Sequence, residues 1–213
     1  MKRRSPLPLS PLVVAAAALL AQPQAARADA SPADASSPVA DNSPPREFHP
    51  LVGALVTGNI SPNDQSLANP DGSTATGNLG GRYEVFAGAE FPLTKGGLRL
   101  RLTAGAHEGR VSPSAGGSEH FVYYPLEASL VYPVSDTWRL GGGVRYPARI
   151  KFSGPGAHSN LGLGSAPGAV GFIEWAVVPH VWLDLRFVAE DFEPYSGGSI
   201  TTNHWGLGAV AEY

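Results

Sequence analysis

The residues of this chain whose types could do chemistry are four of its six histidines, His107, His120, His158 and His204, and a His158-Ser159-Asn160 run. Imidazoles gathered at one end of a fold are ready metal ligands. A serine hydroxyl beside an imidazole is the raw material of a nucleophile and its base. Spacing argues against both. The four histidines lie in or beside separate loop-like segments, without the close spacing of a compact metal motif, so no metal and no cofactor is expected. His158 and Ser159 are adjacent, and adjacent side chains of an extended strand point to opposite faces. Their run also lies in the glycine-rich stretch SGPGAHSNLGLGSAP. A catalytic pair needs hydrogen-bond reach and a third group to orient it. No catalytic role is therefore expected of either residue.

A larger set of ionisable residues is spread along the chain with a period of two. WRLGGGVRYPARIKF (Trp138–Phe152) shows the pattern: Leu140, Val144, Tyr146, Ala148, Ile150 and Phe152 alternate with Arg139, Arg145, Arg149 and Lys151. A two-residue period is that of a β-strand with two unlike faces. Reading the same parity through the chain assigns one face the cations Arg82, Arg99, Arg101, Arg139, Arg145, Arg149, Lys151 and Arg186. The same face takes the anions Glu84, Glu90, Glu127, Glu174, Asp184, Glu190 and Glu212.

The elements that must position these residues are strands throughout. The periodic segments are Phe48–Gly58, Gly81–Phe91, Leu98–His107, Phe121–Tyr132, Trp138–Phe152, Ala169–Val178, Val181–Glu190 and Thr201–Tyr213. Three connections are short and open with a proline, at Pro92–Gly97, Pro133–Thr137 and Pro179-His180. Four are long and rich in Gly, Ser, Asn and Pro. Proline has no ladder N–H and suits the end of a strand. In an up-and-down arrangement the short turns collect at one end and the long loops at the other.

Three features put the charged face inside. The opposite face carries no charge in the five segments with the clearest alternation, as a lipid-facing surface requires at about 2–4 kcal/mol per midplane charge. The charged face also holds Gly88, Gly105, Gly141, Gly143, Gly206 and Gly208, read as room for long side chains. Finally, aromatics bound the apolar face: Phe48, Phe91, Tyr132, Trp138 and Tyr213 at the short-turn end, and Tyr83, Tyr124, Tyr146, Phe187 and Trp205 toward the loops. Two aromatic girdles around an apolar band indicate a bilayer. The fold class expected is all-β, an eight-stranded antiparallel up-and-down transmembrane β-barrel over Glu47–Tyr213. Inside it the unlike charges pair into a network that fills a narrow lumen.

Upstream, Lys2, Arg3 and Arg4 precede the apolar run Leu12–Ala21, and Ala26-Arg27-Ala28 follows it as a small-x-small site. Residues 1–28 read as a secretory signal peptide, and 29–46, rich in Ala, Ser, Pro and Asp, as a disordered periplasmic linker. Removing residues 1–28 takes away four basic residues and no acid. That leaves 11 basic and 18 acidic residues, a net charge of −7. An acidic exported chain is not a nucleic-acid binder, and with no cysteine it has neither disulfide nor thiolate site.

A terminal aromatic closing an alternating strand, as Tyr213 closes HWGLGAVAEY, resembles the C-terminal signature of bacterial outer-membrane β-barrels. The chain is similar to the small eight-stranded OmpA/OmpX-like type. The resemblance implies a bacterial outer-membrane location, with short turns periplasmic and long loops extracellular. It also implies a monomer in contact with lipid and lipopolysaccharide, delivered by the barrel-assembly machinery through its last strand. The function implied is non-enzymatic: envelope integrity, or surface adhesion through four extracellular loops. No wall-binding domain is expected after the barrel. Two alternatives remain open, a narrow gated pore and a lipid A-modifying enzyme. His158-Ser159-Asn160 is similar to the His-x-Ser-Asn signature of lipid A deacylase barrels. Pro125 and Pro147, nine residues either side of the Val134–Trp138 turn, resemble the proline-weakened walls of lipid A palmitoyltransferase barrels. They are read as facing each other, where they would open a lateral gap.

Overall fold

A computed structural model describes residues 48–60, 65–68, 74–113, 119–153, 163–194 and 200–213. They fall in one compact unit, Pro44–Tyr213. The segments read as signal peptide, 1–28, and linker, 29–46, lie outside the described residues. The strands are β1 (His49–Asn59), β2 (Gln65–Ala68), β3 (Thr74–Pro92), β4 (Arg99–Pro113), β5 (Glu119–Pro133), β6 (Trp138–Ser153), β7 (Leu163–Val178), β8 (Val181–Pro194) and β9 (Ile200–Glu212). Among the described residues there is no helix.

From β2 to β9 each strand pairs antiparallel with its neighbour in sequence, and β1 pairs with β9 on one side and with β3 on the other. That last pairing, running from His49↔Glu90 to Val56↔Tyr83, closes eight strands into a barrel. The ninth strand, β2, is a short partner to the outer part of β3, within what reads in the sequence as a loop. Several strands also run further toward the loops than their apolar periodicity reaches, β7 starting at Leu163 and not at Ala169. Backbone pairing continues there without lipid to enforce an alternating pattern.

The short turns hold by local bonds. In Pro92–Gly97 the Leu93 N–H donates to Leu98 O at 2.8 Å, and Gly97 takes φ +87, a region that favours glycine. In the Val134–Thr137 turn the Ser135 hydroxyl accepts from the backbone N–H of Thr137 and Trp138. The Pro179-His180 corner turns with His180 at φ +65.

The wall is inverted relative to a water-soluble protein. Leu126, Leu130, Val144, Leu140, Leu183 and Leu207 are exposed on the outside, while Arg101, Arg145 and Arg186 are among the largest fully buried side chains. Trp138 stacks on Trp175 at 6.0 Å and Phe48 on Phe91 at 6.3 Å, all four rings exposed toward the short-turn end. Such a surface is satisfied by hydrocarbon with aromatic anchors at its boundary.

The parity read from the sequence fails once inside a strand. β6 pairs with β5 as Pro125↔Pro147 and Tyr124↔Ala148, but then as Val122↔Lys151, so one extra residue is inserted on β6. Arg149 stands in this bulge at φ +46. An inserted residue flips every side chain beyond it. Arg149 and Lys151, expected in the lumen, are exposed, and the Lys151 ammonium lies 5.9 Å from the ring centre of outward-facing Tyr124.

The glycines also serve a different purpose from the one expected. Gly53 and Gly141 lie opposite Phe86 and Phe172 on the neighbouring strands, and a Cβ on either would overlap the partner ring. Gly88, Gly143 and Gly208 face backbone of the adjacent strand at similarly close approach. Only Gly206, against the Arg186 Cγ, makes room for a cation. The notches let Phe86 and Phe172 lie flat against the wall, and guanidinium groups rest on them: Arg186 4.6 Å from the Phe86 centroid and Arg101 4.8 Å from that of Phe172.

Candidate functional site

The lumen is the only place where the described residues concentrate ionisable groups, and they separate into two layers. The turn-side layer is built from β3, β4, β6, β7 and β9. Arg101 donates from Nε and Nη2 to Glu90 Oε1 at 2.8 and 2.6 Å, and forks across to both Glu174 oxygens at 2.7 and 2.9 Å. Arg139 forms an ion pair with Glu174 at 2.7 Å, pairs with Glu212 and approaches Glu90 at 3.6 Å, with its guanidinium 3.6 Å over the Trp182 ring. Arg99, at the mouth and about a third exposed, adds contacts to Glu90 at 3.0 Å and Glu212 at 3.8 Å. Three cations meet three anions.

The loop-side layer differs. Arg145 forks onto Glu84 at 2.8 and 2.6 Å and bonds Glu190 at 2.6 Å. Arg186 bonds Asp184 at 2.6 Å and Glu127 at 3.3 Å. Secondary contacts of 3.6 and 3.8 Å tie Arg145 to Glu127 and Arg186 to Glu84. The Ser129 hydroxyl donates to Glu127 and the Tyr123 hydroxyl to Glu190. Two guanidinium groups here meet four carboxylates, all buried. Among the described residues no ion pair joins this layer to the other.

Of the fifteen lumen residues read from the sequence, twelve lie in these layers: Glu84, Glu90, Arg99, Arg101, Glu127, Arg139, Arg145, Glu174, Asp184, Arg186, Glu190 and Glu212. Arg149 and Lys151 lie outside them, as described above. Arg82 is half-buried nearer the loops, where it bonds Glu108 at 3.1 Å and touches neither layer. His158 and Ser159 lie outside the described residues, so their separation from any acid is not part of this geometry.

The sequence names His107 and His204 among the histidines of the loop end, and their spacing alone sets them aside. His107 and His204 stand in the loop-side layer at 0% and 1% exposure, with ring centroids 5.1 Å apart. His107 Nδ1 lies 3.0 Å from Glu84 Oε2. Among the described residues, His107 Nε2 and both His204 nitrogens have no hydrogen-bond partner. Glu84, His107 and His204 each offer a ligand atom, all within 4.8 Å of one another. Parity puts both on the charged face, but spacing along the chain does not show that β4 and β9 bring the two rings together. His120, by contrast, is exposed and bonds Glu108 at 3.1 Å.

The prolines do face each other. Pro125 and Pro147 are direct partners across β5–β6, both buried. Around them the wall thins on both sides. The β4–β5 ladder skips Gly105 and Ala106, opposite Tyr124 and Pro125. The β6–β7 ladder stops at Arg145↔Gly168, although β6 continues to Ser153 and β7 begins at Leu163. The larger break is therefore on the β6–β7 seam, beside Pro147 and Pro167, and not between the two prolines read from the sequence.

No family model matches the chain, and no curated protein matches it. Among solved structures it is similar to the outer membrane protein OprG from Pseudomonas aeruginosa, 15% identical over 78% of this chain and 95% of that one, with a TM-score of 0.46. It is also similar to Ail, the attachment invasion locus protein of Yersinia pestis, at 12% identity over 79% and 99% and a TM-score of 0.42. A de novo designed transmembrane β-barrel matches at 14% identity over 78% and 95%, with a TM-score of 0.36. The fold rests on the strand pairing itself, which closes eight antiparallel strands into a barrel.

Proposed function

We propose that this is a non-enzymatic outer-membrane protein of a bacterium, a sealed barrel that anchors four loops at the cell surface for envelope integrity or adhesion. One observation supports this most directly: the lumen is crossed by two layers of directly bonded charges, with Arg101, Arg139, Arg145 and Arg186 all at 2% exposure or less. An eight-stranded barrel has an interior just wide enough for side chains to fill. Opening an ion path would strand buried carboxylates, each at several kcal/mol. In this reading the three short turns are periplasmic and the long loops extracellular. The barrel is a monomer set in lipid and lipopolysaccharide, and the strand ending at Tyr213 is offered to the assembly machinery. Planar-bilayer recording of the purified barrel tests it. No unitary conductance is expected, and reproducible steps would replace the anchor with a pore.

A second reading has its own observation in the β6–β7 seam. With no ladder above Arg145↔Gly168, and with Pro147 and Pro167 unable to donate, the wall offers a lateral entrance from the loop-side leaflet, the route an enzyme acting on lipid A acyl chains would use. Amide exchange distinguishes the cases: fast exchange over Tyr146–Ser153 beside protected Trp138–Arg145 favours the entrance, and uniform protection removes it. A lipid A acylation pattern that changes with the gene would favour the enzyme.

A further inference from the structure

The loop-side layer has two more carboxylates than guanidinium groups, and it is the layer that holds His107 and His204. We propose that Glu84, His107 and His204 form a binding site for one divalent first-row transition-metal ion within the lumen.

The donor set is chemically suited to such an ion. Glu84 Oε2 and His107 Nδ1 stand 3.0 Å apart, the separation of two ligand atoms that share one ion, which would take the place of the proton between them and leave the His107 proton on Nε2. His204 is buried at 1% exposure with neither nitrogen bonded among the described residues. An imidazole left in that state loses its hydration without return, and a metal bond restores it. Two imidazoles and one carboxylate are a set that binds zinc and its neighbours while leaving a position open.

Arg145 does not displace the ion. It uses one direction on each Glu84 oxygen, at 2.8 and 2.6 Å, and a carboxylate has about four lone-pair sites. The charge balance also favours occupancy, since a 2+ ion neutralises the two-carboxylate excess that Arg145 and Arg186 leave. In the turn-side layer, where charges already match, there is no histidine.

Access is restricted. Phe121, Tyr123 and Phe192 are fully buried and packed ring to ring, with centroids 5.4 to 6.0 Å apart, and Phe121 stands on the loop side of Tyr123, which itself stacks on His107 at 4.7 Å. The ion therefore enters as the barrel closes and exchanges slowly afterwards.

The test refolds the barrel from urea into detergent, with zinc or with a chelator, and measures metal in the folded, heat-modifiable species after desalting. One zinc per chain is expected, retained against brief chelation, with a higher thermal unfolding midpoint than the chelator-folded protein. Cobalt substitution should give the visible bands of a low-coordinate nitrogen–oxygen site. His204→Gln should lower retained zinc at least tenfold and abolish the bands, as should His107→Gln. Wild-type protein that folds without retaining metal overturns the proposal. So does zinc that persists in the folded His107→Gln/His204→Gln protein, which would place it on surface histidines such as His120 or His180. If the variants fail to fold, the wild-type stoichiometry and cobalt spectrum decide alone.

Discussion

The two halves of the lumen are built by one device and balanced differently. In each, a glycine lets a phenylalanine lie against the wall and an arginine rests on the ring: Gly141, Phe172 and Arg101 toward the turns, Gly53, Phe86 and Arg186 toward the loops. The turn-side half then matches three cations to three anions and sits where the ladders β1–β3, β3–β4 and β6–β7 are continuous. The loop-side half carries surplus acid, two imidazoles and an aromatic cap, and sits beside the skipped pairs of β4–β5 and the open β6–β7 seam. The balance of charge changes along the barrel axis. The turn-side half is a closed structural plug, and the loop-side half keeps unmatched chemistry next to the weaker wall.

The largest effect that would expose this contrast is loss of a central arginine. Arg145→Met strips the forked partner from Glu84 and the 2.6 Å partner from Glu190 in a layer already short of cations. A loss of about 3–5 kcal/mol is expected, measured by urea unfolding in detergent. Arg101→Met should cost less, since Arg139 and Arg99 still contact Glu90 and Arg139 still bonds Glu174. Equal losses would erase the distinction between the layers.

The glycine notches come next. Gly141→Ala drives a Cβ into the Phe172 ring and should destabilise by about 1–3 kcal/mol, as overpacking does. Combining it with Phe172→Leu should recover part of that loss, because the two residues share one space. Gly53→Ala with Phe86→Leu is the loop-side counterpart. If the glycines existed only to admit arginine chains, the phenylalanine changes would rescue nothing.

The smallest effect is at the bulge. Arg149→Gly relieves a left-handed backbone that costs a residue with a side chain roughly 1–2 kcal/mol, so this substitution should stabilise slightly. Lys151→Gln, on the exposed side, should stay within about 0.5 kcal/mol. A loss of several kcal/mol at either position would return that side chain to the lumen.

Much of this was legible from the chain alone, and the limits follow from where the signal is local. Leu126, Leu130, Val144 and Leu207 could be placed on the lipid side because alternation is a property of neighbouring residues and lipid tolerates no exceptions. The same logic placed Arg101 and Glu174 indoors. It failed at Arg149 because a single inserted residue reverses the parity and leaves no mark in composition. It also misread Gly141, whose partner Phe172 comes from another strand.

By itself, then, the sequence determined the inside and outside of the wall, the eight crossings, and the separation of short turns from long loops. Those follow from a two-residue period and from proline and glycine at strand ends. Which charges bond, where the β6–β7 ladder stops, and that His107 meets His204 beside Glu84 were decided only by tertiary structure. Closing the sheet from β3 back to β1 sets which positions on distant strands share a level, and no local pattern records that registration.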